Sequence, residues 1–175
     1  MDHNRLKTKK NAIIEILHKT FLILDKVNIV FPKSATVNIY HHCGKENFEQ
    51  TGAVFINIVN RDYCKNYVVM IPEQRYPCHY HKIKSETLYI LYGTLEVVVD
   101  ETTYHLQAGE MVHIERGQNH MFWSESGTVF EEISTMYTQN DSFYLDEGIQ
   151  KTKYAQRRTT INADEWEEFY KEWKK

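Results

Sequence analysis

An all-β barrel with a helix at either end is the architecture this sequence predicts, and three observations carry it. Between Val30 and about Tyr137 the chain falls into short runs of β-branched and aromatic residues separated by polar turns. Apolar residues recur at helical spacing before that stretch, and again near the end of the chain. A length of 175 residues suits one domain with short extensions. The boundaries are a helical extension over 1–26, a barrel over 27–137, and a wrapping tail with a C-terminal helix over 138–175.

In the N-terminal extension, Ile13, Ile14, Leu17, Phe21 and Leu24 form one helical stripe. It must be covered by the rest of the domain or by a partner subunit. Strands are predicted over 54–59, 67–71, 87–91, 95–99, 110–114 and 129–133. Asn60-Arg61-Asp62, Tyr92-Gly93-Thr94, Asp100-Glu101-Thr102 and Ser124-Glu125-Ser126-Gly127 read as the turns between strands. Strands this short and this closely spaced make an antiparallel barrel or sandwich. The tail over 138–158 is polar and should wrap the barrel. A helix follows over 163–173. Asn162 caps it, Glu165 answers the cap, and Trp166, Phe169, Tyr170 and Trp173 form its stripe. That stripe is expected to plug one end of the barrel.

Hydrophobic residues at 42% and charged residues at 26% supply a packed core and argue against disorder. A net charge of -3 from 21 basic and 24 acidic residues gives no electrostatic case for nucleic acid. The basic group Arg5, Lys7, Lys9 and Lys10 reads as a solvated terminus. Cys43, Cys64 and Cys78 are odd in number and lack CxxC spacing, which argues against a disulfide framework and for a reducing compartment. The N-terminal residues lack a clean apolar signal segment, and no run approaches a membrane span. The expectation is a cytoplasmic protein with neither nucleic acid nor membrane as partner. A homodimer is expected too, because the sheet has edges and the stripe from Ile13 to Leu24 needs a cover.

The chemistry gathers at four positions. His79 and His81 are two apart, so on an extended strand they share a face. Lys82-Ile83-Lys84-Ser85 can turn the chain and bring Glu86 back to the same interior. Arg116-Gly117-Gln118-Asn119 is a second turn, and it delivers His120 at the start of a strand. Three imidazoles and a carboxylate make a mixed N/O set for one divalent ion of the Mn, Zn, Fe, Ni or Co type, with positions open for substrate.

A histidine pair alone is a weak signal; the spacing of the whole set is specific. From Glu73 there are five intervening residues to His79, one to His81, four to Glu86 and six to Gly93. Fifteen residues separate Gly93 from Gly109, and five more separate Gly109 from Glu115, ahead of Gly117 and His120. This pattern resembles the two motifs of the cupin superfamily, whose fold is a double-stranded β-helix or jelly-roll barrel. Cupins often have Gly where Glu73 stands, Pro at Glu115 and Asn at Ser124. None of these is a ligand position.

Within the superfamily the chain resembles two groups: cupin-type D-lyxose isomerases, and the cupin module of sialic-acid-synthase-like proteins of surface-polysaccharide pathways. The stretches carrying this are Ile56 to Lys65, Pro72 to Pro77, Lys84 to Thr87, Tyr92-Gly93 and Glu132 to Thr135. His41 to Phe48 and Asn140 to Tyr144 look nearer the second group. The isomerase resemblance implies a sugar substrate and puts Lys84 and Glu132 beside the metal as the proton-handling pair. Alternation on its strand gives Phe130, Glu132 and Ser134 one common face. A buried carboxylate there would need a partner. Against this, a lysine in a polar turn is more commonly solvated. His113 is expected to be a satisfied structural histidine, and His41 and His42 are not expected to be ligands. Tyr76, Tyr80, Tyr89 and Trp123 are candidates to stack on a sugar, though in a chain that is 13% aromatic most of them must be core. Where the isomerases carry an arginine after Asp-Pro, this chain reads Asp146-Glu147-Gly148-Ile149, leaving Arg157 and Arg158 as substitutes of unassigned position. The alternatives to an isomerase or epimerase are a non-catalytic sugar-binding module and an iron-dependent oxygen-using cupin.

Overall fold

Alternation along the strands sorts the apolar side chains into two clusters on opposite faces of one sheet. The computed structural model describes residues 3–32 and 34–174, with side chains from Asn11 onward. Its elements are α1 (His3–Leu24), β1 (Thr36–Tyr40), β2 (Ala53–Asn60), β3 (Tyr63–Met70), β4 (Gln74–Tyr80), β5 (Glu86–Val99), β6 (Thr102–Gln107), β7 (Met111–Ile114), β8 (His120–Ser124), β9 (Thr128–Thr135), β10 (Phe143–Tyr144), α2 (Glu147–Lys151), β11 (Arg158–Ile161) and α3 (Ala163–Trp173). The strands run antiparallel in the order β10-β4-β8-β5-β9-β3-β2-β1-β11, with β6 and β7 also paired to β5.

Phe55, Val68, Met70, Leu88, Ile90, Val97, Phe122 and Phe130 fill the barrel interior. The period of two along a strand extends that interior face to Asn66, Glu86, His120 and Glu132, which are also buried. Val37, Ile39, Val54, Ile56, Val69 and Val129 point the other way and form the second cluster with Leu17, Phe21 and Trp166 of the helices.

Three expectations are corrected here. The predicted strands 87–91 and 95–99 are one strand of 14 residues, β5. Tyr92-Gly93-Thr94 is a bend within it, not a turn. Gly93 has φ 74°, and a Cβ there would collide with the Gly127 carbonyl, so the strand can change direction only because this residue has no side chain. The first half of β5 pairs with β7 and β9, the second with β6 and β8. Secondly, α3 does not plug the barrel. Its Asn162–Glu165 capping box forms as expected, but its stripe packs on α1: Phe21 lies 4.8 Å from Trp166 and 5.1 Å from Tyr170, centroid to centroid. The two helical stripes cover each other on the outer face of the sheet, so the stripe on which a homodimer was expected has its cover within the chain. Thirdly, the tail joins the sheet rather than only wrapping it. β10 pairs with β4, and β11 pairs with β1.

Glu73 takes φ 65° in the turn before β4, the left-handed region that favours the glycine often found there in cupins. Among the described residues no helix is long and apolar enough to cross a membrane.

Candidate metal centre

His79 sits one residue before the end of β4 and pairs in register with His120, the first residue of β8. A bulge between Tyr76 and His79 sets that register. His81 follows β4 directly and Glu86 opens β5. The ring centroids of His79 and His120 are 4.1 Å apart, those of His79 and His81 4.9 Å, and those of His81 and His120 5.4 Å. One potential ligand atom from each histidine lies within 4.8 Å of the other two.

Each of the three rings is held by a backbone carbonyl. His79 Nδ1 donates to Pro77 O at 2.9 Å, His81 Nδ1 to Asp141 O at 2.7 Å, and His120 Nδ1 to Gln118 O at 3.1 Å. A carbonyl only accepts, so each contact fixes the proton on Nδ1 and leaves the Nε2 lone pair free. His81 Nε2 is buried and makes no hydrogen bond. Burial disfavours the imidazolium, pushing His81 down to about 4 and His79 well below its ordinary value. Neutral rings, fixed tautomers and converging lone pairs are what a divalent ion of borderline softness requires. Glu86, the fourth residue expected as a ligand, lies beside two of the histidines: its Oε1 is 3.0 Å from His120 Nε2, and its Oε2 is 3.8 Å from His81 Nε2. All four side chains expected as ligands therefore meet at one place.

Lys84 is buried, against the expectation of a solvated turn lysine. Its ammonium pairs with Glu86 Oε2 and lies 3.1 Å from Glu132 Oε1. The reason lies 57 residues away, in a side chain that sequence reasoning passed over. The Asp141 carboxylate accepts from the backbone N–H groups of Lys82 (3.0 Å), Ile83 (3.1 Å) and Lys84 (2.9 Å), folding the turn inward. Asn66, also unremarked in the sequence, donates to Glu132 Oε1 at 3.0 Å. Burial pulls Lys84 down, but Glu132 and Glu86 outweigh it and keep the ammonium charged. Burial pushes Glu86 up, yet the Lys84 ammonium holds it well below the carboxylate range. For Glu132 burial prevails over Lys84 and leaves the carboxyl above its ordinary value. Two carboxylates on one lysine thus titrate apart.

The cavity over this cluster is lined further by Tyr40, Phe55, Tyr76, Phe122, Tyr137 and Ser142. His113 stays out of it, exposed on β7 with Nδ1 2.8 Å from Thr87 Oγ1. His41 and His42 are buried but engaged elsewhere, His41 with Thr159 (3.0 Å) and His42 with the Tyr144 hydroxyl (2.8 Å). Of the candidate stacking aromatics, Tyr76 reaches the site, 5.3 Å from His79. Tyr80 stacks on Phe143 and Trp123 carries Arg75. Arg158 donates to Asn38 Oδ1 at 3.2 Å, and Arg157 is buried beside Tyr144.

Residues 66–136 match the model of the Cupin domain family, and this segment contains all three histidines, Glu86, Lys84 and Glu132. Oxalate decarboxylase from Bacillus subtilis superposes with a TM-score of 0.52 at 18% identity, over 59% of this chain and 31% of that one. A cupin-2 domain protein from Shewanella frigidimarina superposes at 0.42 with 24% identity, over 47% and 79% of the two chains. KdgF from a Halomonas species does so at 0.48 with 13% identity, over 50% and 82%. No curated protein matches the sequence. The barrel has the jelly-roll fold of cupins with helices added at both ends, and a three-histidine cluster suited to a divalent metal lies inside it.

Proposed function

We propose that the protein is a divalent-metal-dependent enzyme acting on a sugar, an aldose–ketose isomerase or epimerase of the D-lyxose isomerase type. The observation that carries this reading is the buried Lys84–Glu132 pair, which lines the same cavity as the histidine cluster and Glu86. Structural ion pairs are seldom placed wholly inside a barrel next to a ligand set, because desolvating them is costly. A bound metal would supply polarisation of the sugar's hydroxyl and carbonyl oxygens. The chain's own residues would move the protons. Glu132 takes the proton from the carbon next to the carbonyl, and the C–H electron pair becomes the C=C bond of an enediol. Lys84 supplies a proton to the carbonyl oxygen. Glu132 then returns its proton to the former carbonyl carbon while the other enediol hydroxyl gives its proton back to Lys84, which leaves the new carbonyl one carbon along and both side chains as they began. A carboxyl lifted above its ordinary range is a stronger base than a free one, and Asn66 holds it in place. Tyr76 and Tyr40 give this cavity an aromatic wall.

The test is metal loading with manganese, cobalt, zinc, nickel and iron in turn, followed by a screen of pentoses and hexoses for ketose formation. Glu132→Gln should keep the fold and the metal while lowering turnover about a hundred-fold to ten-thousand-fold. Full activity in that variant would remove Glu132 from the chemistry.

A second reading is a non-catalytic sugar-binding module of a sialic acid or surface-polysaccharide pathway. Lys84 serves both carboxylates at once, and such a closed network also suits a rigid pocket wall. Binding of a sugar without conversion, across the whole panel and every metal, would favour it.

A further inference from the structure

Among the described residues, Arg157 has no ion-pair partner. It is 7% exposed, and its Nε and Nη1 atoms are buried without any hydrogen-bond partner. Its guanidinium lies over the ring of Tyr144, 4.7 Å from the centroid. Its backbone is fixed, because the carbonyl of Arg157 accepts from the amide of His41 at 2.8 Å. Asp141, which stands between Asn140 and Ser142 in the tail, is committed to the amides of Lys82, Ile83 and Lys84. Leaving the donors of a buried guanidinium unsatisfied carries a desolvation cost. Such a group is normally met by a carboxylate or phosphate, which its planar fork fits in bidentate fashion.

The guanidinium borders a small cleft with Tyr40, Asn140, Ser142, Tyr144 and Tyr154. Tyr40, Ser142 and the adjoining Tyr144 tie this cleft to the metal cavity: Tyr40 and Ser142 line both, and Tyr144 stacks on His79 at 5.3 Å. We propose that Arg157 is the anion-binding residue of the site, and that the ligand is an acidic sugar whose carboxylate or phosphate sits on Arg157 while its hydroxyls face the histidine cluster. Asn140 and Ser142 add neutral hydrogen-bonding groups at the same spot. The proposal rests on the reading of the metal cavity as a sugar site and narrows its substrate class.

The experiment uses the full chain loaded with manganese. Thermal midpoints are first measured with sodium acetate, sodium phosphate and sodium chloride at matched ionic strength. Calorimetry then compares D-glucuronate, D-glucose 6-phosphate and D-glucose. Acetate or phosphate should raise the midpoint above chloride in the wild type and not in Arg157→Gln. The matching acid sugar should bind about tenfold to a hundredfold more tightly than glucose, with Arg157→Gln erasing that preference. The acetate and phosphate arms decide which anion is meant. Arg157→Lys keeps the charge but loses the fork, and should retain part of the effect; it serves where the glutamine variant does not fold. Equal response to acetate, phosphate and chloride in the wild type overturns the proposal, as does an undiminished response in Arg157→Gln. Anion preference without any sugar turnover would leave this subsite standing and remove the isomerase reading. Turnover of neutral sugars with no anion preference would do the reverse.

Discussion

Asp141 and His81 are joined from both ends of one residue: the Asp141 carbonyl accepts the His81 Nδ1 proton at 2.7 Å, while its carboxylate binds the three amides that follow His81. A single tail residue thereby orients a candidate ligand and folds in the turn that buries Lys84. Removing the carboxylate leaves those amides without an acceptor. Asp141→Ala should cost roughly 2–4 kcal/mol of stability by urea unfolding. It should also weaken divalent-metal binding about tenfold to a hundredfold, because the ring of His81 loses its support. Unchanged metal affinity would mean that the backbone carbonyl holds the ring without help from the carboxylate.

The metal assignment has its own direct check. Protein stripped with chelator and titrated with manganese, zinc or cobalt should take up one ion per chain. His79→Ala combined with His81→Ala removes two of the converging nitrogens and should abolish uptake. Circular dichroism of the barrel should change little. Stoichiometric uptake by the double variant would place the ion elsewhere.

Lys84 and a metal ion draw on the same carboxylate, since the ammonium already pairs with Glu86 Oε2. Two opposed effects follow for Lys84→Met. Without metal, two buried carboxylates lose their cation, a loss of about 3–5 kcal/mol when one partner of a buried pair is deleted. With metal, the competitor for Glu86 is gone, so affinity should rise. The variant should therefore be much less stable than wild type in chelator and regain most of the difference on metal addition. Equal stabilisation of both proteins by metal would show that the ion and Lys84 do not share Glu86.

The four converging side chains were legible because each lies next to a local signal. The two-residue spacing of His79 and His81 sets their common face, and turns immediately precede Glu86 and His120. Glu132 was legible through alternation, since Phe130 and Ser134 share its buried face. The burial of Lys84 was not legible, because it depends on a carboxylate 57 positions later that no periodicity links to it. Asn66 is hidden for a similar reason: polar residues on a strand are ordinary until a partner appears across the barrel. The break read into β5 at Gly93 failed because a glycine between two apolar runs looks alike in a turn and in a bent strand. The C-terminal stripe was assigned the wrong cover, the barrel end in place of α1, because an aromatic stripe specifies burial and leaves its partner undetermined.

The last prediction concerns pH. His42 is buried, and burial, with Arg157 and His41 adding to it, pushes its imidazole down to about 3 from an ordinary 6.5. The folded-state value lies below the unfolded one, so over that interval the unfolded chain binds a proton that the folded chain does not. Stability contributed by neutral His42 is complete above the unfolded value and is lost as pH falls toward 3. The slope approaches about 1.4 kcal/mol per pH unit. His79 and His81 add loss of the same sign in metal-free protein, so the wild-type curve alone does not isolate His42. His42→Gln does, since glutamine can still bond the Tyr144 hydroxyl without titrating. Urea unfolding in chelator should show wild type losing ground to His42→Gln by nearly that slope between about pH 6 and about pH 5. A difference between the two proteins that does not change with pH would show that His42 takes up a proton as readily folded as unfolded.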